Sequence, residues 1–171
     1  MIDFVNASDL SEYCKDFGFS KFIIVKEIKS LEGKDDNSIR KALENKDTDL
    51  IYGIEKFREK DRINQKDSGL NQVLCKLANK NKIKIGFSFS DVLNFEGIKR
   101  AKILGRMVQN VKLCNKYKID MVVGSFAKNK YELRNAKDLV AFGEFLGMKK
   151  IWNEKIDNFY KDKDIGIRRV K

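Results

Sequence analysis

Short apolar runs separated by stretches of helical periodicity set the tightest limit on what this chain can fold into. Ile2–Val5, Phe22–Val25, Leu50–Ile54, Ile83–Phe87 and Ile119–Val123 read as strands. The run at 22–25 has no polar alternation, as expected of a strand covered on both faces. Between the strands lie helical patterns. Ser8 is placed to cap a helix over Asp9–Phe17, which Gly18 ends, and Asp35–Asn37 precede one through Asn45 with Ile39, Ala42 and Leu43 on one side. Ser68 opens a helix whose Leu70, Val73, Leu74, Leu77 and Ala78 form one stripe. Gly97–Tyr117 is the longest helix, Ala136–Leu146 stops at Gly147, and Ile151–Tyr160 turns Trp152, Ile156, Phe159 and Tyr160 inward before a last strand at Ile165–Val170. Strands divided by helices need crossovers, so the sheet is expected to be mainly parallel, with right-handed connections. Residues 1–171 suit one domain. Six strands fall short of an eight-unit barrel, which takes about 250 residues.

Composition removes whole classes of chemistry. The chain has no histidine, so Ser-His and Cys-His nucleophiles, histidine bases and imidazole metal sites are all excluded. Cys14, Cys75 and Cys114 stand far apart and read as small apolar residues of a reducing, cytoplasmic setting. No apolar run approaches the roughly 20 residues of a membrane span, and the N-terminus lacks the pattern of a secretory signal. The net charge of +11 is unevenly placed: residues 96–137 hold 11 Lys/Arg against 3 Asp/Glu, whereas residues 1–95 are nearly balanced. Such concentration is the footprint of a polyanion partner, set against the plainer reading of a solvated lysine-rich surface.

Two segments carry a more specific signal. DSGLNQVLCKLANKNKIKIGFSFSDVLN, residues 67–94, places polar clusters at Asp67-Ser68-Gly69 and Ser88-Phe89-Ser90-Asp91 around one helix and one strand. GRMVQNVKLCNKYKIDMVVGSFAKNKYELRNAKDLVAFGEFLGM, residues 105–148, follows it. Together they resemble archaeal ribonuclease P protein component 3. The chain departs from that family where Gly124-Ser125-Phe126-Ala127-Lys128 replaces Ser-Ser-Gly-Ala-basic, and where Ala136 replaces a proline. The resemblance implies a TIM-barrel-like fold, here reduced or irregular; an open doubly wound sheet is the structural alternative. It also implies a protein subunit that supports a catalytic RNA in removing 5′ leaders from precursor tRNA. Cleavage would belong to the RNA with Mg2+, and the partners would be ribonuclease P RNA, precursor tRNA, protein component 2 and the other subunits, with no membrane.

Candidate contacts follow the charge. At 100° per residue, Lys99, Lys102, Arg106 and Asn110 cluster on one side of the long helix, away from a stripe of Ala101, Leu104, Val108, Val111 and Cys114. Lys112 extends the basic set. Ile103 and Leu113 lie off that stripe, as a protein-binding face would require. Gly124, Ser125 and Ala127 are small enough to let backbone N–H groups approach an anion beside Lys128 and Lys130, although Phe126 works against a tight cradle, and Arg134 has a fork suited to phosphate. Asp67, Asp91, Glu132 and Asp138 are read as capping or pairing groups, and the aromatics as core. No catalytic residue, metal ligand or cofactor is therefore assigned to the chain. Two other classes remain open: a free-standing metal-dependent barrel phosphoesterase, and a generic basic RNA-binding protein.

Overall fold

A computed structural model describes residues 1–45, 48–57, 61 and 67–149. The expected helix Ile151–Tyr160 and strand Ile165–Val170 lie outside them. Six parallel strands are present among the described residues: β1 (Ile2–Val5), β2 (Lys21–Ile24), β3 (Ser30–Glu32), β4 (Leu50–Tyr52), β5 (Lys84–Ser88) and β6 (Met121–Gly124). Helices α1 (Asp36–Glu44), α2 (Gln72–Asn81), α3 (Phe89–Leu93) and α4 (Gly97–Tyr117) lie in the crossovers from β3 to β6, and α5 (Ala136–Phe145) follows β6. None of these helices is long and apolar enough to cross a membrane.

The strands form two ladders, β1-β2 and β3-β4-β5-β6. Two backbone bonds join them beyond the ladders: Phe126 N–H donates to the Phe4 carbonyl at 2.7 Å, and Asn6 N–H to that of Ala127 at 2.8 Å. Only residues 25–29 separate β2 from β3, too few for a helical crossover. The chain thus steps from pairing with β1 to pairing with β4 within one broken stave. Within each ladder every strand pairs with the next in sequence, and β6 returns to β1. That is a reduced TIM-barrel-like ring, and the doubly wound alternative, whose strand order reverses, does not describe it.

Alternation along the strands divides the core in two. Phe4, Ile23, Leu50, Tyr52 and Val122 face inward, joined by Val25 and Phe126. Val5, Ile51, Ile85, Phe87 and Val123 face the helices, meeting Ile39, Leu74, Met107, Val111 and Leu139. Phe126 fills the middle, with its ring stacked on Tyr52 at 4.6 Å between centroids and on Phe4 at 6.1 Å. Gly86 makes the room: a Cβ there would stand 3.0 Å from both the Phe126 ring and Tyr52. The large ring is held at φ +49°, a conformation that favours glycine and costs other residues about 1–2 kcal/mol.

Local departures from the sequence reading have local causes. The 8–13 stretch is a 3₁₀ helix with Ala7 before it and no side-chain cap, where an α-helix over Asp9–Phe17 is expected. Asn71, not Ser68, caps α2, accepting from Leu74 N–H at 3.0 Å; Val73 then points outward and Cys75 takes the inner place. β3 escapes sequence reading because Ser30-Leu31-Glu32 holds one apolar residue. α4, by contrast, has the bounds that its sequence predicts.

Truncating Phe126 to Ala should destabilise the chain by about 3–5 kcal/mol through loss of the central ring. Phe126→Gly should cost about 1 kcal/mol less, because it also relieves the left-handed backbone. Urea denaturation of both variants checks this order, and a glycine variant less stable than the alanine variant would contradict it.

Candidate nucleic-acid interface

The side of α4 that packs is rotated from the one its apolar residues suggest. Ile103, Met107, Val111 and Cys114 are buried, and Arg106 and Asn110 are buried with them, at 3% and 0% exposure. Ala101 is exposed, and Leu104 and Val108 are only partly covered. The expectation that Arg106 and Asn110 belong to a solvent-facing basic side is therefore corrected. Ile103 is also internal, and Leu113 is half-buried against the core, so this pair offers no exposed apolar face.

The two polar residues are inside because their partners come from the segment after β4. Asn110 Nδ2 donates to Glu55 Oε1 at 2.7 Å and to the Ser68 carbonyl at 2.9 Å. Arg106 Nη1 donates to the Glu55 carbonyl, and its Nε and Nη2 reach Asp61 Oδ1 at 3.0 and 2.8 Å. Burial pushes the Glu55 carboxyl up to about 7, against the pull of the Asn110 bond. This network pins Glu55, Asp61 and Ser68 beneath the helix. No periodicity argument could have found it, since partners 42 to 55 residues away decide it.

Lys99, Lys102, Lys112 and Lys116 are exposed along α4. Arg100 turns back, donating from Nε to the Phe95 carbonyl at 2.6 Å and from Nη2 to that of Leu93. Burial works against the Asp61 carboxylate, but Arg106, and Lys102 at longer range, hold its pKa below the usual value, so the network's field reaches Lys102.

The loop after β6 does not form the expected anion cradle. Ser125 N–H is held by Asp3 Oδ1 at 2.6 Å, and Phe126 N–H by the Phe4 carbonyl. Ala127 N–H meets Ser125 Oγ, and Lys128 N–H meets Glu132 Oε2 at 2.9 Å. Each of those donors already has a partner inside the protein. Asp3 is fully buried, and its carboxyl is pushed up to about 7 by burial despite three bonds from Ser125 and Phe4. At the ends of β3 and β5, Lys56 Nζ bridges Glu32 at 2.5 Å and Asp91 at 3.0 Å. Burial works against the Lys56 ammonium, but the two carboxylates outweigh it and raise its pKa. Among the described residues no group of three or more Cys, Asp or Glu is placed to hold a metal ion.

What this turn offers is side chains. Lys128 and Lys130 are exposed. Arg134 is half-buried, donating from Nη1 to the carbonyls of Tyr131 and Leu133 and lying 5.6 Å from the Phe89 ring centroid. Glu132 accepts from Lys128 N–H and Asn129 Nδ2 within its own turn, rather than capping the helix from Ala136, which has no side-chain cap. Tyr131, read as core with the other aromatics, is 78% exposed. Its place beside Lys130 and Arg134, in a polar stretch without apolar periodicity, was the available signal.

Known proteins share this architecture. A family model described as RNase P subunit p30 matches residues 5–156. Ribonuclease P protein component 3 of Methanocaldococcus jannaschii is 35% identical over 103 residues, covering 60% of this chain and 41% of the relative. Its namesake in Methanosarcina mazei is 37% identical over 83 residues, 48% of this chain and 35% of that one. The chain thus spans less than half the length of these curated relatives. Among solved structures, a chain in the cryo-EM structure of archaeal ribonuclease P with mature tRNA superposes with a TM-score of 0.67 at 26% identity. That match covers 99% of this chain and 74% of the other.

Burial raises the pKa of the Glu55, Asp3 and Asp91 carboxyls, and this ties stability to pH. A folded-state pKa raised above the unfolded value favours the protonated form, so the Glu55 contribution is full below about pH 4.5 and is lost as pH rises through about 7. Replacing Glu55 with Gln, which retains an acceptor for Asn110, should remove up to about 3 kcal/mol of the loss between pH 5 and pH 8. Urea titrations at the two pH values test this; Asp3 should leave a residual slope of the same sign. An unchanged slope would mean that Glu55 is not the titrating group.

Proposed function

The chain belongs to the RNase P subunit p30 family, and from that premise we propose that it is a ribonuclease P protein subunit bound to the enzyme's RNA through the lysine row of α4. The observation that carries this reading is the set of exposed lysines along one firmly held helix. Lys99, Lys102, Lys112 and Lys116 are exposed along a 21-residue helix, while Arg106 and Asn110, further along the side that carries Lys99 and Lys102, are buried and bonded to Glu55 and Asp61. A row of cations on a rigid rod gains affinity by releasing the counterions condensed on a phosphate backbone. Lys128 and Lys130 extend the field to the barrel rim. Arg106 and Asn110 are buried and hold the helix in place rather than touching RNA.

In this reading the RNA, with Mg2+, cleaves precursor tRNA, and the chain braces or positions the RNA. Component 2 and the other protein subunits are its protein partners, and the assembly is cytoplasmic. The reading is supported by the names of the relatives and by a barrel rim whose Asp91 and Glu32 are clamped by Lys56. That arrangement is unlike the open carboxylate cluster a metal-dependent phosphoesterase would need.

The Lys99→Gln, Lys102→Gln, Lys112→Gln triple variant should weaken binding to ribonuclease P RNA roughly uniformly across sequences. It should also reduce the slope of log affinity against log salt by about 0.7–0.9 for each phosphate that is no longer neutralised. A folded triple variant with the parent slope would move the RNA surface off α4. The purified chain should leave precursor tRNA uncut in the absence of RNA; mature 5′ ends made by protein alone, and abolished by Asp91→Asn, would turn the assignment to a phosphoesterase.

A further inference from the structure

Tyr131 is the aromatic that the core does not explain. Its ring is 78% exposed, yet its backbone is fixed on both sides: the N–H donates to Asn129 Oδ1 at 3.0 Å, and the carbonyl accepts from Arg134 Nη1 at 3.0 Å. Glu132 tightens the same turn from Lys128 N–H and Asn129 Nδ2. The Lys130 ammonium lies 5.3 Å from the ring centroid. The platform therefore needs little ordering on binding, and cations stand around it.

We propose that the turn Lys130–Glu132 is a docking point for an unpaired RNA base, which stacks on Tyr131 while Lys128 and Lys130 meet the flanking phosphates. The inference rests on the RNA-binding reading above and adds a single-stranded element to it. Base–aromatic stacking tolerates any base, because each has a π-face, and cationic neighbours supply the backbone contacts. A duplex buries its base faces against one another and offers this ring nothing to stack on. A protein partner fits the patch less well. Lys is depleted at protein interfaces, and the residues beside Tyr131 are Lys130 and Glu132 rather than an apolar collar. The turn follows β6, on the carboxyl-end face where barrels of this kind present their ligands.

The test uses the full chain with a single-stranded oligouridylate carrying one 2-aminopurine, and with an RNA duplex of equal length. Tyr131→Ala should weaken single-strand binding on the order of 5- to 100-fold. Duplex binding and the salt slope should not change, and Tyr131→Phe should restore single-strand affinity. Stacking should also quench 2-aminopurine fluorescence in the parent and in the phenylalanine variant but not in the alanine variant. A parent that binds neither RNA would overturn both this inference and the RNA-binding reading. A parent that binds RNA, with an alanine variant equal to it on the single strand, overturns the stacking inference alone. So does loss of a co-purifying protein subunit in that variant with RNA affinity intact, which would assign the ring to a protein contact.

Discussion

The ring exists because β6 is tied to β1, and the tie is a buried carboxylate. Asp3 accepts from Ser125 N–H and Oγ, while Phe126 N–H reaches the Phe4 carbonyl. These bonds link residues 122 positions apart in sequence. They bring together two strands that no ladder pairing joins. The inner core depends on them, since the Phe126 ring enters the barrel from the same residue whose amide makes the join. The helices pack on the outside of a surface that this contact closes.

Sequence reading recovered the parts of this architecture that rest on local periodicity. The β1, β2 and β5 positions, the Asp35 cap and the span of α4 follow from apolar spacing and capping chemistry, which act over a few residues. It failed where a distant group decides the outcome. Arg106 and Asn110 look like surface residues until Glu55 and Asp61 are placed beneath them. Ser125 and Lys128 look like an anion cradle until Asp3 and Glu132 take their amides. Val73 and Ser68 were misassigned for a smaller reason, a helix start displaced to Asn71. Tyr131 was missed in the opposite sense, as an aromatic with no core to enter.

The candidate interface follows from the same division of labour. Arg106 and Asn110 are turned inward onto Glu55 and Asp61, leaving lysines as the dominant outward charge of α4. The buried network has a stability cost, because desolvated carboxyls are expensive unless protonated or well bonded. In exchange the helix has one rotational setting. An apolar underside would permit small rotations; a bonded Asn110 and a forked Arg106 do not.

The Lys56 bridge has a consequence for how a polyanion arrives. Two acids and one ammonium, held within bonding distance, cancel most of one another's field at the barrel rim. The rim therefore repels an approaching phosphate backbone far less than bare Asp91 and Glu32 would. Attraction comes from the lysines instead, so the molecule exerts a torque on its partner before touching it, and encounters are oriented by α4 rather than by the mouth. Orientation of this kind raises the association rate and fades with added salt, while leaving dissociation to the short-range contacts.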